Sequence, residues 1–366
     1  MASKSLIVNS ISSPLDLRIE EKAIPKAGPG TAVVQVLNAV IGPQSKFALA
    51  FPVPNFQFPV PGVYGHSCIG RVVSVGQDST SLKEGQLVLV DSHVTSRDDP
   101  NVEILMGLMD GGTEKSKKLA NDAWRDGCWT THAVVPLENA TPLDEEALVK
   151  REGYDISELS YLARFAVAYG GVSALDIKAG ETVIVGPATG GYGGAAVEVA
   201  SARGARVIAF GRNKDALAKL KSHVTRVETV VLTGDLAKDT AAFTAFGPAD
   251  AYIDFSPFQA QNPAHIGAGI RALRRRGRLV LMGGVSTDIS IPYWLIMLNS
   301  IELRGRWMYN RKEIRELVKM AETGVLKLGK AAGHEIAGKF ALEDWESAFE
   351  TAGKATSWGQ SVIFTP

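Results

Sequence analysis

The segment at 182–200 constrains the fold of this chain more than any other part of the sequence. It reads TVIVGPATGGYGGAAVEVA, so a short apolar run leads into a glycine-rich turn and then into a helix-like stretch of small residues. Ala188, Gly190 and Gly193 occupy the three positions of a G-x-G-x-x-G pattern, with alanine in the first place. A strand, a tight turn and a helix in this order predict the start of a βαβ unit in a parallel sheet.

The turn in this segment also suggests a function. A glycine at 190 lets the backbone approach a pyrophosphate, and a glycine at 193 lets the helix pack closely on the strand. The helix start offers free N–H groups and the positive end of its dipole to an anion. We therefore expect a dinucleotide to contact the residues of the turn, which are Ala188, Thr189, Gly190, Gly191, Tyr192 and Gly193. The alternative is a glycine-rich turn that binds nothing.

The end of the next predicted strand, at 206–210, indicates which dinucleotide binds. NAD enzymes present an acidic residue to the ribose 2′-hydroxyl about twenty residues after the glycines. This chain has Gly211 there, followed by Arg212, Asn213 and Lys214. The glycine removes a carboxylate that would repel a 2′-phosphate, and Arg212 can form a forked pair with that phosphate. These residues predict NADP(H), unless Arg212 and Lys214 are only solvated charges at a helix start.

The pattern of apolar and polar residues along the sequence predicts two domains of different architecture. Up to about residue 160, apolar and polar residues alternate between turn signals, as in 31–37 and 70–76, which is typical of antiparallel β structure. Beyond it, helix-length segments separate short apolar runs, which predicts an α/β domain with a parallel sheet buried on both faces. Those runs are 182–185, 206–210, 229–232, 251–255 and 278–282.

Three further segments complete this plan. Apolar residues at helical spacing predict a helix over 311–323, and an alternating pattern predicts a last strand at 360–364. The irregular stretch at 92–125 predicts a long, partly helical excursion from the β domain.

Composition excludes several classes of protein. The 366 residues contain 39 Lys plus Arg and 39 Asp plus Glu, so no net charge attracts nucleic acid or an anionic membrane. No apolar run reaches the roughly twenty residues of a membrane span, and the amino terminus is too weak for a signal peptide, so we expect a cytoplasmic protein. The two cysteines, Cys68 and Cys128, are expected to be reduced thiols and are too few for a four-cysteine zinc lobe.

A second motif points to a known family. The stretch GHSCIGRVVSVG at 65–76 resembles the G-H-E-x-x-G-x-V-x-x-V-G signature of the medium-chain dehydrogenases and reductases, the zinc alcohol dehydrogenase superfamily. The resemblance implies a GroES-like antiparallel β domain at 1–160 and 307–366 and a Rossmann NADP-binding domain with a doubly wound parallel sheet at 161–306. It also implies a homodimer, and nicotinamide contacts from Gly283 and Gly284.

The chain departs from the zinc pattern of this family. In zinc enzymes of the family a cysteine stands where this chain has Gly42, and the position of the third ligand falls on Ala163. His66 remains at the place of the histidine ligand, with Ser67 in place of the glutamate that follows it. Because a catalytic zinc needs three protein ligands, we expect no metal.

Without zinc, a proton donor has to stabilise the charge that grows on the substrate oxygen. The resemblance makes His66 the leading candidate, with Tyr64 and His93 as weaker ones. All three could instead be packing residues, and the proton could also come from water. We therefore expect a zinc-independent oxidoreductase that transfers hydride between NADP(H) and a small or medium apolar carbonyl or alcohol. Two alternatives remain, a quinone or enoyl reductase that acts on an activated C=C bond and an inactive NADPH-binding structural or sensor protein.

Overall fold

The computed structural model of the chain describes residues 2–52 and 57–366. The strands in chain order are β1 (Ala2–Ser10), β2 (Asp16–Ala23), β3 (Thr31–Ile41), β4 (Gly62–Val63), β5 (Cys68–Val75), β6 (Leu87–Val90), β7 (His93–Thr95), β8 (Glu103–Leu105), β9 (His132–Pro136), β10 (Ala140–Pro142), β11 (Thr182–Gly186), β12 (Arg206–Gly211), β13 (Val227–Val231), β14 (Ala249–Asp254), β15 (Leu273–Leu281), β16 (Glu302–Gly305), β17 (Glu335–Phe340) and β18 (Gln360–Phe364). The helices are α1 (Ser45–Ala50), α2 (Glu114–Asp122), α3 (Leu162–Ala174), α4 (Gly191–Ala202), α5 (Lys214–His223), α6 (Leu236–Thr244), α7 (Ala264–Ala272), α8 (Tyr293–Asn299), α9 (Arg311–Glu322) and α10 (Trp345–Lys354).

These elements form two compact units. The first unit contains Met1–Ala163, Glu335–Thr356 and Gln360–Pro366, and the second contains Arg164–His334 and Ser357–Gly359. The second unit thus keeps residues 307–334, whereas the predicted boundary assigned them to the first domain.

Packing of α9 explains this difference. Ile314 and Leu317 on α9 are buried, at 2% and 0% exposure. The Tyr169 hydroxyl on α3 donates a hydrogen bond of 3.0 Å to Glu316 on α9. Tyr169 and the whole of α9 belong to the second unit. The pairing of the two helices therefore keeps the chain in this unit until β17 begins.

The second unit is built on a parallel sheet. Its strands pair in the order β13-β12-β11-β14-β15-β16, and every pairing is parallel. This is the strand order of a Rossmann fold. Central strands are buried on both faces, since Val183, Ile184 and Val185 all have 0% exposure. All five apolar runs predicted as strands are confirmed.

Register across this sheet brings the loops of the site together. Gly186 at the end of β11 pairs with Asp254 at the end of β14, which in turn pairs with Leu281 at the end of β15. On the other side, Val185 pairs with Ala209 near the end of β12. The loops after β11, β12, β14 and β15 therefore leave the sheet at one edge, where dinucleotides bind in folds of this kind.

The outer edge of this sheet carries exposed apolar side chains. Strand β16 pairs with β15 on one side and ends the strand order, and α8 before it has no buried residue. Tyr293, Trp294 and Leu298 on α8 are 77%, 69% and 52% exposed. A patch of this kind next to a sheet edge is typical of an interaction surface.

The first unit is largely antiparallel, as predicted. One sheet has the order β10-β6-β5-β3-β18-β17, with β9 also on β3, and a second has the order β2-β1-β4. Trp129 lies in the core between them at 0% exposure, and its indole N–H donates to the carbonyl oxygen of Val40. The carboxyl-terminal strand β18 pairs antiparallel with β3, which returns the end of the chain to this unit.

The excursion at 92–125 is partly helical, as predicted. It contains the hairpin β7–β8 and the helix α2. Thr113 caps α2 in a reciprocal pair of hydrogen bonds with Ser116, which satisfies two backbone donors at the helix start.

Within residues 2–52 and 57–366, no helix is both long enough and apolar enough to span a bilayer.

Candidate functional site

The glycine-rich turn leaves β11 at the carboxyl edge of the parallel sheet. Two main-chain hydrogen bonds anchor this edge, from Ala188 N–H to Phe210 O at 2.7 Å and from Phe255 N–H to Gly186 O at 2.8 Å. Helix α4 then begins at Gly191, with Gly190 as its N-cap. No side chain caps this helix start, so its first N–H groups point to the edge where an anion would bind.

The glycines of the turn have different reasons to be glycine. A Cβ at 193 would lie 2.0 Å from the Pro187 carbonyl oxygen, so any side chain there collides with backbone. Gly193 therefore packs against the turn residue Pro187, and the strand β11 that the sequence predicts as its contact ends one residue earlier, at Gly186. At Gly190 a Cβ would meet nothing within 4 Å, and the backbone is extended with φ −92°. The fold alone therefore requires glycine at 193 and leaves position 190 open.

The end of β12 lies beside the turn. A Cβ at 211 would be 2.8 Å from Thr189 Cγ2, so Gly211 and Thr189 are in contact. Arg212, Asn213 and Lys214 follow and are exposed. Asn213 caps α5, because its side-chain oxygen accepts a 3.0 Å hydrogen bond from Ala216 N–H. Its predicted role as a cofactor ligand thus competes with a structural one.

Gly283 and Gly284 lie after β15 and are exposed at the same edge. A Cβ at 283 would lie 2.6 Å from the Ser256 carbonyl oxygen and 2.7 Å from Asp254 Oδ2. Gly284 N–H donates to Ser256 O at 2.8 Å. Their position is therefore set by the turn that follows β14.

That turn holds a buried polar cluster that sequence reasoning missed. Asp254 is 1% exposed, and its carboxylate accepts hydrogen bonds from the Ser256 hydroxyl at 2.7 Å, the Ser256 N–H at 3.0 Å and the Tyr252 hydroxyl at 3.3 Å. His265 Nε2 lies 2.8 Å from Ser256 Oγ and 3.3 Å from Asp254 Oδ1. Burial, with the charge of Asp254 next, raises the pKa of Tyr252 well above its usual value. Its hydroxyl therefore stays a donor to the carboxylate.

A second residue that the sequence did not single out is Arg164 on α3. It is 9% exposed, and a Cβ at 191 would lie 2.0 Å from Arg164 Nη1. A guanidinium therefore lies against the first residue of α4. No motif marks this arginine in the sequence, because its proximity to the turn depends on how α3 packs.

The three predicted proton donors lie in the first unit. His66 is partly buried between β4 and β5, with its Nδ1 3.2 Å from the Ser67 hydroxyl oxygen. Tyr64 is 3% exposed, and its ring packs against Phe58 and Trp129 at centroid distances of 5.1 and 4.8 Å. This burial favours packing as its role.

His93 lies on β7 and faces the neighbouring strand. Its Nε2 is 3.4 Å from Glu103 Oε1 on β8. The Asn139 amide donates a 2.9 Å hydrogen bond to the His93 carbonyl oxygen. The structure therefore places His93 in the hairpin network of the excursion.

The residues present do not fit a zinc ion. Within the described parts of the chain, no group of three or more His, Cys, Asp or Glu side chains is arranged to hold a metal. Cys68 and Cys128 are free and buried. A hydrogen bond with Cys128, followed by burial, raises the pKa of the Cys68 thiol well above its usual value.

Two family models match the chain. The alcohol dehydrogenase GroES-like domain matches residues 28–145, and the zinc-binding dehydrogenase model matches residues 191–323. The first lies in the antiparallel unit and the second in the parallel one, in the order that the 65–76 signature implied. The chain belongs to the medium-chain dehydrogenase/reductase superfamily. Within it the chain is an oxidoreductase similar to the zinc-type alcohol dehydrogenases.

Curated relatives of this medium-chain dehydrogenase/reductase are distant. An alcohol dehydrogenase from Moraxella sp. (strain TAE123) is 26% identical over 353 residues, which is 95% of each chain. The L-galactonate-5-dehydrogenase of Escherichia coli (strain K12) is 28% identical over 222 residues, or 60% of this chain and 59% of that protein. The match therefore spans about three fifths of the second relative.

Solved structures share the fold over nearly the full length. A dehydrogenase from Escherichia coli CFT073 in complex with NADH is 19% identical with a TM-score of 0.76, and covers 100% of this chain and 99% of that one. A putative zinc-binding dehydrogenase from Sinorhizobium meliloti 1021 bound to NADP is 18% identical with a TM-score of 0.73, and covers 100% of this chain and 99% of that one. Binding of NAD or NADP is thus typical of proteins with this fold.

Replacing Gly193 by alanine tests the steric origin of the motif. The added methyl group would overlap a backbone carbonyl that cannot rotate away, so we expect a loss of about 1–3 kcal/mol in the free energy of unfolding. Gly190→Ala is the matched control, since its methyl group meets open space and should change stability by less than about 0.5–1 kcal/mol. Chemical denaturation of both variants measures this, and equal stabilities would contradict the steric assignment.

Proposed function

We propose that this chain is an NADP(H)-dependent oxidoreductase that works without zinc. The observation that carries the cofactor preference is the end of β12, where Gly211 packs against Thr189 in place of an acidic side chain and Arg212 follows it in an exposed position. A 2′-phosphate meets no carboxylate from position 211, and Arg212 supplies a planar cation that can pair with it. The proposed phosphate site consists of Gly211, Arg212, Asn213 and Lys214.

The pyrophosphate is proposed to bind at the start of α4. Ala188, Thr189, Gly190, Gly191, Tyr192 and Gly193 form this turn. The nicotinamide is proposed to lie near Gly283 and Gly284. Glycine at position 190 leaves open space beside the backbone, although the fold would accept a side chain there. That space is what a phosphate approaching the backbone would use.

NADPH, when bound, supplies the hydride for reduction of a carbonyl carbon. The chain then has to provide a proton for the substrate oxygen, and His66 is the proposed donor because it is a partly buried imidazole at the family's histidine position. In the reverse direction the same imidazole would accept the hydroxyl proton. The proposed substrate is a small or medium apolar carbonyl compound or its alcohol.

Replacing Arg212 by alanine tests the cofactor preference. Loss of a charge-assisted pair costs about 1.5–3 kcal/mol, so we expect the dissociation constant of NADPH to rise about 10- to 100-fold. The dissociation constant of NADH should change little, because NADH has no 2′-phosphate. Titration by fluorescence or calorimetry measures both, with Lys219→Ala on the exposed face of α5 as the control. An equal effect of Arg212→Ala on both cofactors would overturn the assignment.

Turnover is tested with a panel of aldehydes, ketones, quinones and enones. We expect NADPH oxidation with carbonyl substrates and an alcohol as product. A saturated ketone formed from an enone would instead indicate the reduction of an activated C=C bond. Tight NADPH binding with oxidation at background for every compound would indicate a non-catalytic binding protein.

Replacing His66 by alanine tests the proton donor. General acid catalysis contributes about 100- to 10,000-fold, so kcat should fall by at least about 100-fold while NADPH binding is retained. His132→Ala, a partly buried histidine of the same unit, is the control and should leave kcat unchanged. If His66→Ala retains the wild-type kcat, the same assay on Tyr64→Phe and His93→Gln identifies the donor.

Zinc independence is tested by the metal content of the active protein. Because Gly42 and Ala163 provide no ligands, elemental analysis should find far less than one zinc per chain. Dialysis against a chelator should leave both kcat and the unfolding midpoint unchanged. Stoichiometric zinc, or activity that a chelator removes and zinc restores, would contradict the proposal.

The exposed patch on α8 supports a homodimer formed through the edge of the parallel sheet. Pairing of β16 with its copy would bury Tyr293, Trp294 and Leu298. We expect a dimer in sedimentation velocity and a monomer for the double variant Trp294→Glu/Leu298→Glu. Val325→Glu, at a residue that is 54% exposed outside this patch, should remain dimeric. A monomeric wild-type protein at micromolar concentration would refute the interface.

A further inference from the structure

Two residues near the carboxyl terminus, Ser357 and Trp358, contact the glycine-rich turn after β11. Ser357–Gly359 belongs to the second unit, although the chain before and after it, Glu335–Thr356 and Gln360–Pro366, belongs to the first. No motif in the sequence links this segment to the glycine-rich turn.

The main chain of this segment pairs with the turn itself. Trp358 N–H donates a 2.9 Å hydrogen bond to the Thr189 carbonyl oxygen. Ser357 forms an antiparallel bridge with Gly190. The two turn residues that precede α4 are therefore held from outside their own βα unit.

The side chain of Trp358 packs on the first turns of α4. It is 3% exposed, and a Cβ at 194 would lie 2.2 Å from Trp358 Cδ1, with Trp358 atoms as its three nearest neighbours. Gly194 is thus glycine because the indole lies against it. The indole N–H donates a 2.8 Å hydrogen bond to Glu198 Oε2, one turn further along α4.

Glu198 is itself buried and has a partner on each oxygen. It is 6% exposed, and its Oε1 lies 2.7 Å from His334 Nε2. A buried carboxylate is tolerated when hydrogen bonds replace its hydration, and removing one donor is costly. The Trp358–Glu198 bond is therefore a strong attachment between the carboxyl-terminal segment and α4.

We propose that Trp358 is a positioning residue of the dinucleotide site. Through its N–H and its indole it fixes Thr189, Gly190 and the start of α4 in the conformation that receives the pyrophosphate. A preformed turn loses less entropy on binding, so the fixation appears as cofactor affinity. This inference rests on the proposed dinucleotide binding. It adds Trp358 to the residues that determine cofactor affinity without requiring a contact between Trp358 and the cofactor.

Replacing Trp358 should change the dissociation constants of NADPH and NADH in a different way from Arg212→Ala. NADPH and NADH share the pyrophosphate, so loss of Trp358 should raise the dissociation constants of both by the same factor, about tenfold. The KM for NADPH should rise while kcat at saturating NADPH stays unchanged. General destabilisation would instead lower the active fraction and leave the dissociation constants unchanged.

The first experiment compares Trp358→Leu and Trp358→Phe with the wild-type protein and with Trp345→Phe, a tryptophan variant on α10 of the first unit. Phenylalanine keeps a ring against Gly194 and loses the Glu198 bond, so its effect should be intermediate. Amide hydrogen exchange of the cofactor-free protein should increase in the 187–194 segment for the Trp358 variants and stay unchanged for Trp345→Phe. Titrations with NADPH and NADH complete the comparison.

A double-mutant cycle isolates the contact with α4. Gly194→Ala should displace the indole and raise both dissociation constants, as the Trp358 variants do. In Gly194→Ala/Trp358→Ala the methyl group fills space that the indole vacated, so the double variant should bind NADPH no worse than Trp358→Ala alone. Additive effects would mean that the two residues act independently.

The results separate this inference from the proposed function. Unchanged exchange at 187–194, or faster exchange with unchanged dissociation constants, overturns the positioning role. A wild-type protein that binds neither dinucleotide overturns the proposed function and the role of Trp358 in cofactor affinity. Amide hydrogen exchange at 187–194 still shows, in that case, whether Trp358 fixes the turn. Equal loss of NADPH and NADH affinity supports the role even if Arg212→Ala fails to discriminate between them.

Discussion

The close approach of α4 to the turn after β11 is the constraint on which the candidate site depends. Glycine at 193 allows the helix to start within contact of the Pro187 carbonyl oxygen. This contact directs the first N–H groups of α4 to the carboxyl edge of the sheet, where the loops after β12, β14 and β15 also begin. A side chain at 193 would push the helix away and separate the start of α4, where the pyrophosphate is proposed to bind, from those loops.

Polar groups buried behind the edge hold these loops in register. Asp254 accepts hydrogen bonds within the turn after β14, and that turn sets the position of Gly283 and Gly284. Glu198 joins α4 to Trp358 in the same way on the other side of the glycine-rich turn. In both places a buried carboxylate with several donors provides directional contacts that apolar packing lacks. These hydrogen bonds fix the conformation of the loops at the carboxyl edge of the sheet in the absence of a ligand.

The antiparallel unit carries a family signature, and the proposed function gives it a site without zinc. Its strands retain the 65–76 signature, and β18 closes the sheet on β3. Gly42 and Ala163 offer no side chain that could join His66 in holding a metal. Such a site can change its chemistry while the fold persists, because the ligand side chains are not what the sheet packs on.

The sequence by itself determined the fold class, the strands of the parallel sheet and the turn of the candidate site, because period-two alternation, buried apolar runs and glycine spacing are local signals. It also shows glycine at positions 211 and 42 and alanine at 163, and these residue identities carry the proposals on NADP(H) and zinc. Only the tertiary structure showed that residues 307–334 stay with the second unit and that Tyr64 packs in an aromatic core. It alone brought Arg164, His265 and Trp358 to the site. These contacts join residues far apart in the chain, and packing between elements, unlike local periodicity, leaves no pattern in a single sequence.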